Sequence, residues 1–168
     1  MAHERDLLAM VARRDEASFQ QLYEEFATRI FRYALTLLRD RHLAEEVVQE
    51  TMTTVWSKAS TYCGKSRVST WIFGIARHKA YDILRNEEKG ARTTGSPLVI
   101  DDPAPGIERK EQVLAAIDTL PPDQREIVFL TFYENLSYRT IANLLDIPEG
   151  TVKSRMFHAK KKLTEALT

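Results

Sequence analysis

The residues best suited to specific chemistry lie in "GTVKSRMFHAKKKL", positions 150 to 163. Lysine and arginine pair with phosphates or guanine edges, a short serine can bond to either, and an aromatic ring can lie against a thymine methyl. Wound as a helix at about 100° per residue, the stretch puts Val152, Met156, Ala159 and Leu163 in one narrow apolar stripe. Lys153, Ser154, His158 and Lys161 fall on the other side. Phe157 goes with them, roughly 120° from the centre of the stripe. An aromatic among cations, away from the core face, reads as an apolar base contact. The alternative is packing of Phe157 on the preceding helices, and replacement by alanine separates the two: one outcome weakens DNA binding, the other unfolds the domain.

A second set has different chemistry. Arg77, Tyr81 and Arg85 follow at i, i+4 and i+8, with Gly74 and His78 alongside. Cations beside aromatic rings suit single-stranded nucleic acid, because charge tracks the backbone while rings stack on bases. A third set is acidic: Glu45, Glu46, Gln49, Glu50 and Thr53 share one helical face, opposite Val48, Met52 and Val55. Such a face is poorly suited to DNA; by its residues alone it reads first as a solvated helix face, and otherwise as a surface for a basic protein partner. No set suits catalysis. His3, His42, His78 and His158 are dispersed, and no HExxH, GxSxG, Walker or dinucleotide loop occurs. No catalytic residue, metal site or cofactor is expected.

Composition agrees with these partners. The net charge of +0 hides separation. Lys65, Arg67, Arg77, Lys79, Arg85, Lys89 and Arg92 outnumber Asp82, Glu87 and Glu88, and the segment after 148 is basic again. Separate basic patches in a neutral chain read either as two local contacts with a polyanion or as solvated helix faces. The 168 residues, 43% apolar, suffice for one medium domain or two small ones. Cys63 has no second cysteine to pair with, which suits a reducing cytoplasm. The opening "MAHERDLLAMVARRDEASF" lacks the apolar core of a signal peptide, and no apolar run has the length to span a bilayer. A cytoplasmic chain without membrane insertion is expected.

The elements that must position these residues are helices. Phe19, Leu22, Tyr23, Phe26, Ile30, Ala34, Leu37 and Leu38 recur at helical spacing, "LAEEVVQETMTTVWSK" continues the pattern, and "TWIFGIARHKAYDILRN" resumes it after a polar break. The glycines and prolines of "EKGARTTGSPLVIDDPAPG" predict a linker over 88–106, able to reach about 60 Å when extended. Helix returns near Ile107, and another opens after the proline pair of "TLPPDQREIVFLTFYE". In "LSYRTIANLLDIPEGTVKSRMFHAKKKL", Ser137 is placed as an N-cap, and Pro148 is expected within the first turn of the last helix. A short capped helix, a tight turn and a second helix with a basic outer face have the form of a helix-turn-helix.

The stretch from Leu120 to Leu163 resembles region 4 of bacterial RNA polymerase sigma factors, which contacts the −35 promoter element. "HLAEEVVQETMTTVWSKA" resembles their region 2.2, and "STWIFGIARHKAYDILR" their regions 2.3 to 2.4. Motifs in the right order run from about Phe19 to Leu163. With no room for region 1.1 or a folded region 3, the chain is similar to the extracytoplasmic-function (ECF) group.

The resemblance implies an all-α protein of two small helical domains on a flexible linker: 1–87 as region 2, 88–106 as the tether, 107–168 as region 4. It implies −35 contacts by Lys153, Ser154, Arg155, Phe157, His158 and Lys161, with Arg139 on a phosphate. For the melted −10 element it implies Lys65, Arg67, Trp71, Arg77, His78, Tyr81 and Arg85; Trp71 is either a wedge-type aromatic or core. Relatives often carry asparagine at His78 and arginine at His158, which bears on base preference. Glu45, Glu46, Gln49, Glu50 and Thr53 would dock on the β′ clamp helices of core RNA polymerase, with the β flap a further contact. Promoter DNA and an anti-sigma factor complete the implied partners. The competing class is a helix-turn-helix regulator that binds its operator as a dimer, without polymerase.

Overall fold

The computed structural model describes residues 2–90 and 107–168. Eight α-helices and one short 3₁₀ turn make up its regular structure, with no strand among the described residues. The helices divide into two compact units of four each. The expected linker lies largely outside the described residues: the helix Val68–Gly90 takes up 88–90, and 91–106 are not described.

The first unit comprises α1 (Ala2–Ala12), α2 (Glu16–Leu38), α3 (Arg41–Lys58), the 3₁₀ turn Ala59–Thr61 and α4 (Val68–Gly90). Leu22, Phe26, Ile30, Tyr33 and Leu37 form the buried stripe of α2, facing Val47, Met52 and Val55 of α3 and Ile72, Phe73 and Ala76 of α4. Tyr33 and Phe73 meet edge to face at 5.5 Å. The helix boundaries have local causes. Asp15 caps α2 by accepting from the Ser18 N–H at 2.9 Å, and Asp40 caps α3 by accepting from the Leu43 N–H at 3.0 Å. Arg39 ends α2 in the left-handed region, at φ 55, and returns its N–H to the Leu35 carbonyl. Helix α1 is not among the elements expected from periodicity. Its buried Leu7, Leu8 and Val11 join the core, and Arg14, just after it, donates to the Trp56 carbonyl at 2.6 Å with its guanidinium over the Trp56 ring.

The second unit comprises α5 (Ile107–Asp118), α6 (Pro122–Phe132), α7 (Tyr138–Leu145) and α8 (Glu149–Leu167). Ile127, Leu130, Ile141, Leu145, Val152, Met156 and Ala159 are buried in its core. Pro122 is itself the first residue of α6, where a missing N–H costs nothing. Ser137 caps α7, its Oγ accepting from the Thr140 N–H at 3.1 Å. Asp146 closes α7 at φ 54, and the Ile147 N–H returns to the Ala142 carbonyl, so the chain reverses within three residues. Pro148 corrects an expectation. It is the N-cap of α8, not part of its first turn: its ψ of 145 is extended, while its carbonyl accepts from Thr151 and Val152.

Candidate nucleic-acid interface and partner face

Helix α8 sorts its residues by burial. Val152, Met156 and Ala159 pack inward, while Lys153, Ser154, Phe157, His158 and Lys161 are exposed along one strip. Phe157 is 65% exposed, the most open of the large apolar side chains among the described residues, and its ring meets His158 edge on at 5.6 Å. Two cations of the helix are already engaged. Lys153 reaches Glu149 at 3.6 Å within α8, and Arg155 reaches Asp123 of α6 at 3.5 Å. Arg155 is half-buried and turned away from the Phe157 strip, so the structure does not group it with the other candidate readers. Arg139 is exposed on α7, apart from the α8 strip.

Helix α4 carries the second surface. The Arg77 guanidinium lies 4.3 Å from the centre of the Tyr81 ring, within cation–π distance. One turn along, Asp82 sits between two basic side chains: His78 Nε2 is 3.5 Å from its carboxylate, and Arg85 donates to it. The loop before α4 turns at Gly64, φ 77, and exposes Lys65 and Arg67. Tyr62 pins that loop by donating its hydroxyl to the Ser66 carbonyl, and its ring lies 5.6 Å from Trp71. Trp71 is therefore half-buried against the loop at the start of α4, outside the fully buried core. Sequence reasoning missed Tyr62, Asp82, Asp123 and Glu149 as partners. Only the i+4 spacing of Glu149 to Lys153 and of His78 to Asp82 signals two of these pairs.

The third surface is on α3. Glu45, Glu46, Gln49, Glu50 and Thr53 are all exposed, backed by buried Val47, Val48, Met52 and Val55. Beside them a groove of about 310 Å³ runs between α2 and α3, with Tyr23, Phe31 and Val48 as its apolar lining and Glu45 and Gln49 at its polar edge. Among the described residues no three His, Cys, Asp or Glu side chains gather as for a metal ion, and no helix is long and apolar enough to cross a membrane.

Both halves of the chain match sigma-factor families: Sigma-70 region 2 over residues 22–90 and Sigma-70, region 4 over residues 110–163. The chain is 32% identical to the ECF RNA polymerase sigma factor RpoE of Cereibacter sphaeroides, spanning 92% of this chain and 89% of that one. The chain belongs to the ECF RNA polymerase sigma factors. SigK of Mycobacterium ulcerans is 30% identical over 96% of this sigma factor and 91% of its own length. The solved structure of the sigma factor RpoE in complex with the anti-sigma factor NepR from Bartonella quintana shares the fold. Its TM-score is 0.75 at 24% identity, covering 89% of this chain and 96% of that one. The α7–α8 strip lies inside the region 4 match, and the α3 and α4 surfaces inside the region 2 match.

Proposed function

We propose that this ECF sigma factor binds core RNA polymerase and directs it to promoters by reading two DNA elements in two different states. The α8 strip of Lys153, Ser154, Phe157, His158 and Lys161 reads the −35 duplex, with Arg139 on a phosphate and Arg155 holding α8 to α6 through Asp123. Helix α4 and its loop, through Lys65, Arg67, Trp71, Arg77, His78, Tyr81 and Arg85, hold the unpaired −10 strand. Capturing a base out of the stack repays an unstacking cost of a few kcal/mol and so favours melting. The acidic α3 face of Glu45, Glu46, Gln49, Glu50 and Thr53 docks on the polymerase, and its neighbouring groove suits the apolar side of a basic helix. Residues 1–87 then serve polymerase docking and the −10 element, 107–168 serve the −35 element, and the stretch after the end of α4 at Gly90 tethers them.

The observation that carries this reading is the coexistence of two differently built faces. An outward phenylalanine amid short polar and cationic side chains fits a groove. A cation stacked on tyrosine fits bare strand. The chain performs no covalent chemistry of its own, works in the cytoplasm beside the polymerase, and is held inactive by an anti-sigma factor, as NepR accompanies RpoE in the related structure. Transcription in vitro with core enzyme on a randomised promoter library tests the reading. Promoter-dependent transcripts that require this chain support it. A chain that ignores core enzyme and binds duplex DNA alone as a dimer overturns it.

A further inference from the structure

A carboxylate on a surface that meets a polyanion needs a reason. Asp82 lies half-exposed on the outer face of α4, with His78 Nε2 at 3.5 Å on one side and the Arg85 guanidinium on the other. The side chains of His78 and Arg85 are 74% and 63% exposed, so both are surface contacts. Such pairs contribute little to folding, because water and salt screen them and two side chains must be ordered to make them. Asp82 also cancels positive charge where a phosphate backbone is to be held. Neither stability nor overall affinity accounts for it. Position does: one carboxylate lies within reach of two side chains and biases the rotamers that each would otherwise sample more evenly.

We propose that Asp82 is a positioning residue that sets base selection on the melted −10 strand by orienting His78 and Arg85. The inference rests on the reading of α4 as the single-strand face. With Nε2 turned toward Asp82, Nδ1 is the ring atom left to meet a base, so His78 offers one hydrogen-bonding atom in one direction. Asparagine, by contrast, offers a donor and an acceptor together. Arg85, held at one guanidinium nitrogen, keeps its remaining N–H groups for a phosphate at a set distance from that base. The carboxylate meanwhile weakens attraction that is indifferent to sequence. Asp82 thus lowers affinity for any strand and raises the difference between strands.

The test uses the full chain assembled with core polymerase. The probe is a fluorescent fork-junction DNA with a duplex −35 element and an unpaired −10 strand carrying each of the four bases in turn at each position. Binding is measured over a range of salt, together with thermal melting of the free chain. Asp82→Asn keeps the shape and removes the charge. It should leave melting unchanged, steepen the salt dependence by about 0.7 in log–log slope as one cation is freed, and reduce preference at one position by about tenfold. His78→Ala should lose preference at that same position, and the double variant should lose no more than His78→Ala alone. Asp82→Glu, which restores the carboxylate on a longer stem, should recover part of the preference and the original slope. The proposal is overturned if Asp82→Asn weakens all probes equally, or if it leaves preference intact while His78→Ala abolishes it. It is also overturned if His78→Ala has no effect on preference. Wild-type holoenzyme that binds no fork DNA instead removes the sigma reading of α4 itself, so the two failures are distinct.

Discussion

Replacing Phe157 by alanine tests the −35 surface most directly. A phenylalanine side chain offers roughly 200 Å². With 65% of the residue open to water, about 130 Å² is available to a partner. If the major groove covers half of that, about 65 Å² leaves water, which at roughly 25 cal/mol per Å² is about 1.6 kcal/mol, or about fifteenfold in affinity. Folding should hardly notice, since surface substitutions usually stay within about 0.5 kcal/mol, a shift of about 2–4 °C in a unit of this size. Met156, next in the chain, supplies the contrast. It is 2% exposed, and its replacement by alanine should cost about 2–5 kcal/mol and lower melting by about 8 °C or more. The assay is fluorescence anisotropy of a −35 duplex with holoenzyme, paired with thermal melting of both free variants. A Phe157→Ala protein that melts as early as Met156→Ala would place the ring in the core. One that melts normally and binds the duplex unchanged would remove Phe157 from DNA contact.

The remaining predictions concern partner docking, capping and pH. Glu46→Lys puts a cation on the acidic α3 face; binding to core enzyme should weaken by at least about tenfold in a competition assay, with melting of the free chain unchanged. Ser137→Ala removes the side-chain acceptor at the start of α7 and should cost about 1 kcal/mol, read as a fall of about 4–8 °C in the melting of the second unit by circular dichroism. Glu4 is held above its ordinary 4.5 by partial burial first, then by sharing a hydrogen bond with Glu25 of α2. A carboxyl raised on folding favours its protonated form, so its contribution is present in acid and is lost as pH rises through the raised value. Glu4→Gln should therefore stabilise the first unit relative to the unchanged chain near neutral pH, and the difference should vanish near pH 4 in urea melts.

Much of this molecule is legible in one dimension because helices repeat about every 3.6 residues. That period alone separates Val152, Met156 and Ala159 from Phe157, and Val47, Val48 and Val55 from the acidic residues of α3. It also predicts Ser137 as a cap, since capping depends on a neighbour three residues away. Helix α1 escapes the same reading. Leu7, Leu8 and Val11 make too short a stripe to stand out, and the helix is stable only because α2 and α3 offer it a surface. Pro148 escapes too, because a proline suits both the N-cap and the first turn, and the ψ that decides between them is set by how α7 closes.

What the sequence by itself determined is the identity of each face: which side chains the longer helices turn outward, and where the polar breaks between them fall. Tertiary structure alone decided how those side chains are spent. Arg155 is tied to Asp123 across two helices, and Arg14 is clamped on Trp56 from 42 residues away. Even where sequence spacing permits a pair, as for His78, Asp82 and Arg85, rotamers choose among several partners within reach. Helical periodicity is a local property of the backbone and survives in the bare string of residues. Ion pairs and stacking depend on distances between atoms that only the packed chain brings together.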